Sequence, residues 1–177
     1  MNHLPQGSLF IYLINHKEIM DKMVAEIREN PITDFKSLNK LKYTEMVIWE
    51  SLRMAPVLLR GTRWVNKPMY VGKYWIPADC QFQYSQYVLH RNPEHWPNPR
   101  EFIPERFENG IPSVDLFTFF PFLAGARTCL GKHVAMVAMK ICKPPDAEPV
   151  IAETNEIDAK ADSFGGRPEF SISDEKS

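Results

Sequence analysis

The sequence predicts a mainly α-helical fold with a small β-sheet, and three observations carry that prediction. Two stretches in the first third of the chain, and one near its three-quarter point, space apolar residues as helices do. Three short strand-like pieces lie between residues 63 and 76. Proline is concentrated in the middle. Of 15 prolines in 177 residues, nine fall between Pro56 and Pro121, which favours turns and short elements there. The length suits one domain of ordinary size. A composition 44% hydrophobic and 24% charged is that of a globular chain, so disorder throughout is excluded.

Leu9 to Ile14 reads as helical, and Glu18 to Glu29 as a second helix. In the latter Ile19, Met20, Met23, Val24 and Ile27 share a face opposite Glu and Lys. Pro31 ends it. Lys42 to Met54 forms a third helix that stops before Pro56. Its centre, Met46 to Trp49, is apolar around the whole circumference, which calls for burial on all sides. Arg63 to Val65, Met69 to Val71 and Tyr74 to Ile76 read as strands of a small hairpin sheet, separated by Lys67–Pro68, Gly72–Lys73 and Pro77–Ala78–Asp79. His90 to Pro121 holds six prolines and little periodicity, so it reads as an ordered meandering loop. Gly131 to Cys142 returns to helix, and Lys143–Pro144–Pro145 breaks it. The domain is therefore drawn over residues 1–142. Residues 143–177 form an acidic, weakly patterned tail, either a linker or poorly ordered.

Charge and cysteine narrow the function classes. The net charge of −1 hides 17 Lys and Arg against 13 Asp and Glu in residues 1–142, and 4 against 9 in the tail. That balance is too weak and too diffuse for a nucleic-acid protein, though a basic face could meet an acidic partner. The longest apolar runs, Leu9 to Ile14 and Val134 to Met139, are six residues each. A membrane-spanning helix needs roughly 20, so no such segment is expected, nor is a signal peptide. Cys80, Cys129 and Cys142 are odd in number and far apart, which argues against a disulfide framework. Cys80 and Cys142 read as ordinary buried thiols.

Cys129 stands apart. It lies in Phe122-Leu-Ala-Gly125-Ala-Arg127-Thr-Cys129-Leu-Gly131, between two glycines and before an apolar helix. Glycines there let the backbone bend tightly and approach a flat, bulky group. The N–H groups opening the next helix would favour negative charge on sulfur, and Arg127 could pair with an anionic substituent of the same ligand. The chemistry suggested is a thiolate metal ligand. The plainer alternative is a buried structural cysteine in a glycine turn. Cys129 and His133 also form an i, i+4 pair of the kind seen in zinc sites, but a single pair does not make a site.

The segment matches F-x-x-G-x-R-x-C-x-G and so resembles the haem-binding signature of the cytochrome P450 family. Glu50 and Arg53 form E-x-x-R on the all-round apolar helix, three residues apart and close enough to pair. Pro104-Glu105-Arg106-Phe107, approached by His90-x-x-Pro93-x-x-Trp96-x-x-Pro99-x-x-Phe102, is similar to the family's P-E-R-F element. The resemblance covers roughly residues 9 to 142. It implies the C-terminal part of the P450 fold, incomplete, with Cys129 as the thiolate ligand of haem b iron. It also implies Phe122 beside the proximal haem face, flanked by Gly125 and Gly131, Arg127 on a propionate, and Arg63, in competition with Arg60, on the other. Glu50, Arg53 and Arg106 would form an architectural network, and Pro56 to Thr62 would line the substrate side.

The activity implied is insertion of one O2 oxygen into a small, mostly apolar substrate, with electrons from a reductase or ferredoxin. Many eukaryotic relatives are held at the endoplasmic reticulum membrane, whereas bacterial ones are soluble. The family's oxygen-activating helix and distal pocket have no counterpart in the sequence, and Pro5 and Gly7 are expected to disrupt a helix at that point. The chain alone is then not expected to be a competent monooxygenase. Rival readings are a non-enzymatic truncated product, a haem-binding fragment that needs a partner chain, and a zinc-binding interaction protein.

Overall fold

A computed structural model describes residues 4–111 and 117–141. The fold is mainly helical with a small two-part β region, as the sequence predicts. Helices α1 (Leu4–Asn15) and α2 (Lys17–Glu29) meet at His16, whose Nδ1 lies 2.8 Å from the Tyr12 carbonyl. The expectation that Pro5 and Gly7 disrupt a helix is corrected, since α1 runs through both. Both fall in the first turn, where proline's missing N–H has no partner to lose and its φ already suits a helix.

Both helices pack on α3 (Lys42–Met54), the most enclosed element, with Leu9, Leu13, Met23, Val47, Ile48 and Leu52 at the shared core. No side chain of α3's own caps its first turn. Glu26 of α2 does so from across the interface. Its carboxylate accepts the Tyr43 and Thr44 N–H groups and the Thr44 hydroxyl, each at 2.7 Å. A carboxylate at a helix N-terminus satisfies orphan donors and opposes the dipole. That one side chain fixes the register between α2 and α3.

The β region differs in detail from the single hairpin sheet expected. Strand β1 (Arg60–Val65) pairs antiparallel with β4 (Cys80–Ser85), while β2 (Met69–Val71) pairs with β3 (Tyr74–Ile76) around Gly72. Strand β4 was not expected, although Cys80, Phe82 and Tyr84 alternate with Gln81, Gln83 and Ser85 at the period of a strand. Gly61 faces Tyr84 across the ladder, and a Cβ at Gly61 would collide with the tyrosine ring. Cys80 is only half-buried, its thiol donating to the Pro77 carbonyl, which corrects its reading as a buried thiol. Cys142 lies outside the described residues. A single turn, α4 (Gln86–Leu89), follows β4 and is capped by the Ser85 hydroxyl, which accepts the Val88 N–H.

Between His90 and Pro121 the described residues meander as expected, with a 3₁₀ turn at Pro104–Phe107. Its order comes from Arg53. That side chain and Glu50 are both fully buried and pair through two bonds of 2.8 Å. The other Arg53 donors reach the carbonyls of His90 and Pro99 at 2.9 Å and of Glu101 at 3.0 Å. Glu50 also accepts the Ile103 N–H at 2.9 Å. Arg106 comes within 3.4 Å of Glu50 without hydrogen-bond geometry and donates instead to the Asn98 carbonyl at 2.7 Å. Around this centre Trp96, Phe102, Phe107 and Phe119 bury their rings, with Phe102 stacked on Tyr12 at 5.0 Å.

Helix α5 (Lys132–Ile141) docks through Met139 and a buried Lys140, whose ammonium donates to the Leu38 carbonyl and to Glu45 at 2.7 Å. Burial alone would raise the Glu45 carboxyl. The Lys140 bond and charge, the Trp49 N–H and Lys42 outweigh it and hold the group below the ordinary carboxylate range. No helix among the described residues is long and apolar enough to cross a membrane.

Two measurements test this account. Arg53→Lys keeps the charge but has three donors where five are used, so it should cost about 3 kcal/mol in urea unfolding. Arg106→Ala should cost about 1 kcal/mol or less. Similar losses for the two would show that charge, rather than the donor set, holds the meander. The second concerns His90, fully buried with Arg53 and Arg91 close by. Burial, and then those two cations, drive its imidazole from 6.5 down to about 3. Between those values the unfolded chain binds the extra proton, so stability is full above the unfolded value and falls as pH drops toward the folded one. From about pH 7 to about pH 4.5 the parent chain should lose about 2 kcal/mol more than His90→Gln. Equal losses would place the acid sensitivity elsewhere.

Candidate functional site

The cysteine loop is built by a short series of backbone bonds. Leu123 N–H donates to the Phe120 carbonyl at 2.9 Å, closing a turn with Pro121 at its second position. Gly125 has a φ of +69°, where a side chain would strain the backbone, and opens a 3₁₀ turn, Gly125–Arg127. Thr128 bonds the Gly125 carbonyl through both its N–H and its hydroxyl. Cys129 N–H then donates across the loop to the Phe122 carbonyl at 2.8 Å, and Lys132 N–H to the Cys129 carbonyl at 3.3 Å, leading into α5. The bend falls at Gly125. At Gly131 a Cβ would sit an ordinary 3.8 Å from the Cys129 sulfur.

Cys129 is exposed, which sets aside the alternative of a buried structural thiol. It lines an open cleft of about 470 Å³ with walls that are almost wholly apolar. Val134, Ala135 and Ala138 of α5 form one wall, Phe122 and Leu123 another, and Val57 and Leu58 the third. Phe122 is half-buried and meets Trp49 edge-on at 6.1 Å. A soft sulfur donor therefore faces a slot that offers no other metal-ligating side chain. Among the described residues no group of His, Cys, Asp or Glu could hold a metal ion by itself. His133 lies exposed on α5, and a zinc site with Cys129 gains no further ligand from these residues.

The other expected residues are placed unequally. Glu50, Arg53 and Arg106 are brought together at the base of the meander. Arg127 is exposed on the loop and does not line the cleft. Arg63 is exposed on β1, bonded to the Thr62 carbonyl and 5.8 Å from the Tyr84 ring, and borders a different groove beside Trp64 and Phe82. Sequence reasoning missed the small-residue wall of α5, although the spacing of Gly131, Val134, Ala135 and Ala138 along one helix face was a legible signal. It also missed Gln86 and His90, which bond the backbone of Phe120 at the mouth of the loop. Gln86 carries no motif, and His90 enters only as the start of the approach to Pro104-Glu105-Arg106-Phe107.

Comparison with known proteins agrees with this geometry. The family model described as Cytochrome P450 matches residues 7–143. Cytochrome P450 4d2 of Drosophila melanogaster is 36% identical over 141 residues, 75% of this chain and 28% of that protein. Cytochrome P450 3A25 of Mus musculus is 35% identical over 141 residues, 76% of this chain and 28% of that protein. A lithocholate 6-beta-hydroxylase of Mesocricetus auratus is 35% identical over 135 residues, 73% of this chain and 27% of that protein. The chain thus spans little more than a quarter of the length of these curated relatives. The family match covers the helical core, the meander and the whole cysteine loop, and the chain belongs to the cytochrome P450 family.

Proposed function

We propose that this chain supplies the thiolate-bearing side of a haem site in a monooxygenase that inserts one oxygen atom of O2 into a small apolar substrate. The observation that carries the reading is the exposed Cys129 thiol at the wall of an open, apolar cleft of about 470 Å³. The donor set suits the group, because thiolate is a haem-iron ligand and apolar walls limit solvent access around it. When bound, haem b supplies the oxygen chemistry, with the thiolate's electron donation favouring O–O cleavage.

The remaining work falls to this chain's side chains. Cys129 would hold the iron. Phe122 and the Val134–Ala135–Ala138 face, with Val57 and Leu58, would exclude water from the cleft around it. Arg127, exposed on the loop, would pair with a carboxylate substituent of the haem, for which guanidinium is the fitting partner. Arg63, although it borders a different groove, would be the candidate for the other. Glu50, Arg53 and Arg106 keep the meander in place beneath the loop and touch no reactant. Residues 1–142 act as the family unit, and residues 143–177 as a separate acidic tail. The electrons come from a reductase or ferredoxin, whose acidic surface the net basic charge of residues 1–142 would attract. A relative named for hydroxylating lithocholate supports the class of reaction.

The cleft is open and walled by few elements, so haem on this chain alone should be held weakly and without turnover. The test is to add haem to the purified chain, reduce it and add carbon monoxide, alone and with a second chain carrying the remaining part of a P450 fold. The expected result is a red-shifted thiolate-type Soret band that strengthens on complementation and is absent in Cys129→Ser. A band that persists in Cys129→Ser would refute the ligand assignment. Stable haem and substrate turnover by the chain alone would refute the need for a partner.

A further inference from the structure

We propose that Gln86 and His90 are positioning residues for Cys129, gripping the two ends of Phe120, the residue at which the cysteine loop begins. Both side chains are fully buried. Gln86 opens α4 and His90 caps its C-terminal end four residues on, still in helical conformation, so they project on one side of the turn. Gln86 Nε2 donates to the Phe120 carbonyl at 3.0 Å, and Phe120 N–H donates to His90 Nε2 at 3.2 Å. Since Nε2 accepts, the neutral imidazole carries its proton on Nδ1.

The grip is tied to the core and to the thiol. On the core side, His90 N–H bonds the Gln86 carbonyl at 2.9 Å, and the His90 carbonyl receives Arg53. On the loop side, the Phe120 carbonyl also receives Leu123 N–H, so the amide of Gln86 and the loop's first turn share one acceptor. Two residues later the Phe122 carbonyl accepts Cys129 N–H. Residues 125–130 are exposed throughout, and Leu130 is 99% exposed. Packing therefore does little to orient that stretch. Burial of Phe119 among Trp49, Trp96 and Phe107 sets how deep the strand entering the loop lies, while the two directional bonds on Phe120 set which way the loop leaves it. A rotation at Phe120 would move the Phe122 carbonyl and carry Cys129 with it.

The functional meaning rests on reading Cys129 as the iron ligand, but the test has readouts that need no haem. In the full chain, Gln86→Met and His90→Leu each remove one bond at nearly constant volume, and His90→Gln keeps an acceptor near the Nε2 position. Amide hydrogen exchange is measured at Leu123 and Cys129 against the amides of α3, and iodoacetamide alkylation of Cys129 is followed by peptide mass spectrometry. The expected result is exchange at Leu123 and Cys129 faster by roughly five- to tenfold, as loss of one net hydrogen bond implies. Cys129 alkylation should change in rate, α3 should be unaffected, and His90→Gln should behave like the parent. Unchanged loop exchange in folded variants would overturn the proposal, and so would an equal rise in the loop and in α3. Should His90→Leu not fold, Gln86→Met decides by the same criteria. A loop that loosens as expected in a chain showing no thiolate-type haem spectrum even with the complementing chain would refute the ligand reading and leave the positioning intact.

Discussion

The arrangement depends on one guanidinium. Arg53 sits without solvent contact, and its five N–H donors are distributed over the Glu50 carboxylate and three carbonyls of the meander. A buried ion pair by itself is weak evidence of stability, because desolvation offsets most of its Coulomb gain. Here the gain is structural in kind. His90, Pro99 and Glu101 belong to a stretch with little regular secondary structure, whose backbone carbonyls lack ladder partners. Buried carbonyls without partners would each carry a desolvation cost, and one side chain removes three such costs together. Lysine could not do this, since an ammonium lacks the planar fork and has too few donors. The prolines of the meander complement that arrangement by limiting the freedom the chain loses on ordering.

From that centre the site follows by short steps. Arg53 fixes the His90 carbonyl, His90 and Gln86 meet Phe120, and Phe122 closes the loop on Cys129. The aromatic rings of Trp96, Phe107 and Phe119 fill the space between these polar contacts. The polar and apolar parts are not alternatives. Directional bonds choose an orientation, and close packing makes other orientations costly. An exposed thiol can thus be held in place by groups that are themselves buried.

What the sequence made legible, and what it did not, divides along the same line. Helix α3 was legible to its ends because a circumferentially apolar centre and the following Pro56 are local signals. The cysteine loop was legible because glycine, arginine and cysteine at fixed spacing carry chemistry in their side chains. Strand β4 was legible too but was passed over: Cys80, Phe82 and Tyr84 alternate with Gln81, Gln83 and Ser85, and only the pairing with β1 shows how that signal is used. Helix α1 extends beyond the apolar run from Leu9 to Ile14 because proline and glycine are tolerated in a first turn. The role of Gln86 and His90 at the loop was invisible for a further reason, although His90 itself opens a recognised spacing. Their partners are backbone atoms of Phe120, 34 and 30 residues away, and a backbone partner leaves no mark in the sequence.

The same distinction bears on how far a family motif carries. The residues of the signature fall into two sets once their surroundings are known. Gly125 answers a backbone requirement that exists without any ligand, as its positive φ shows. Arg127 answers none that the described residues provide: it is exposed and does not line the cleft. Gly131 lies between, since a methyl group there would meet only the Cys129 sulfur at ordinary contact distance. If folding alone explained the loop, Arg127 and the apolar face of Val134 and Ala138 would have no role in it. On the reading proposed above, that apolar face would meet the faces of a bound ring and Arg127 its anionic edge. Such a group would order the loop as it bound, so cofactor affinity and the local stability of residues 122 to 131 should be linked quantities.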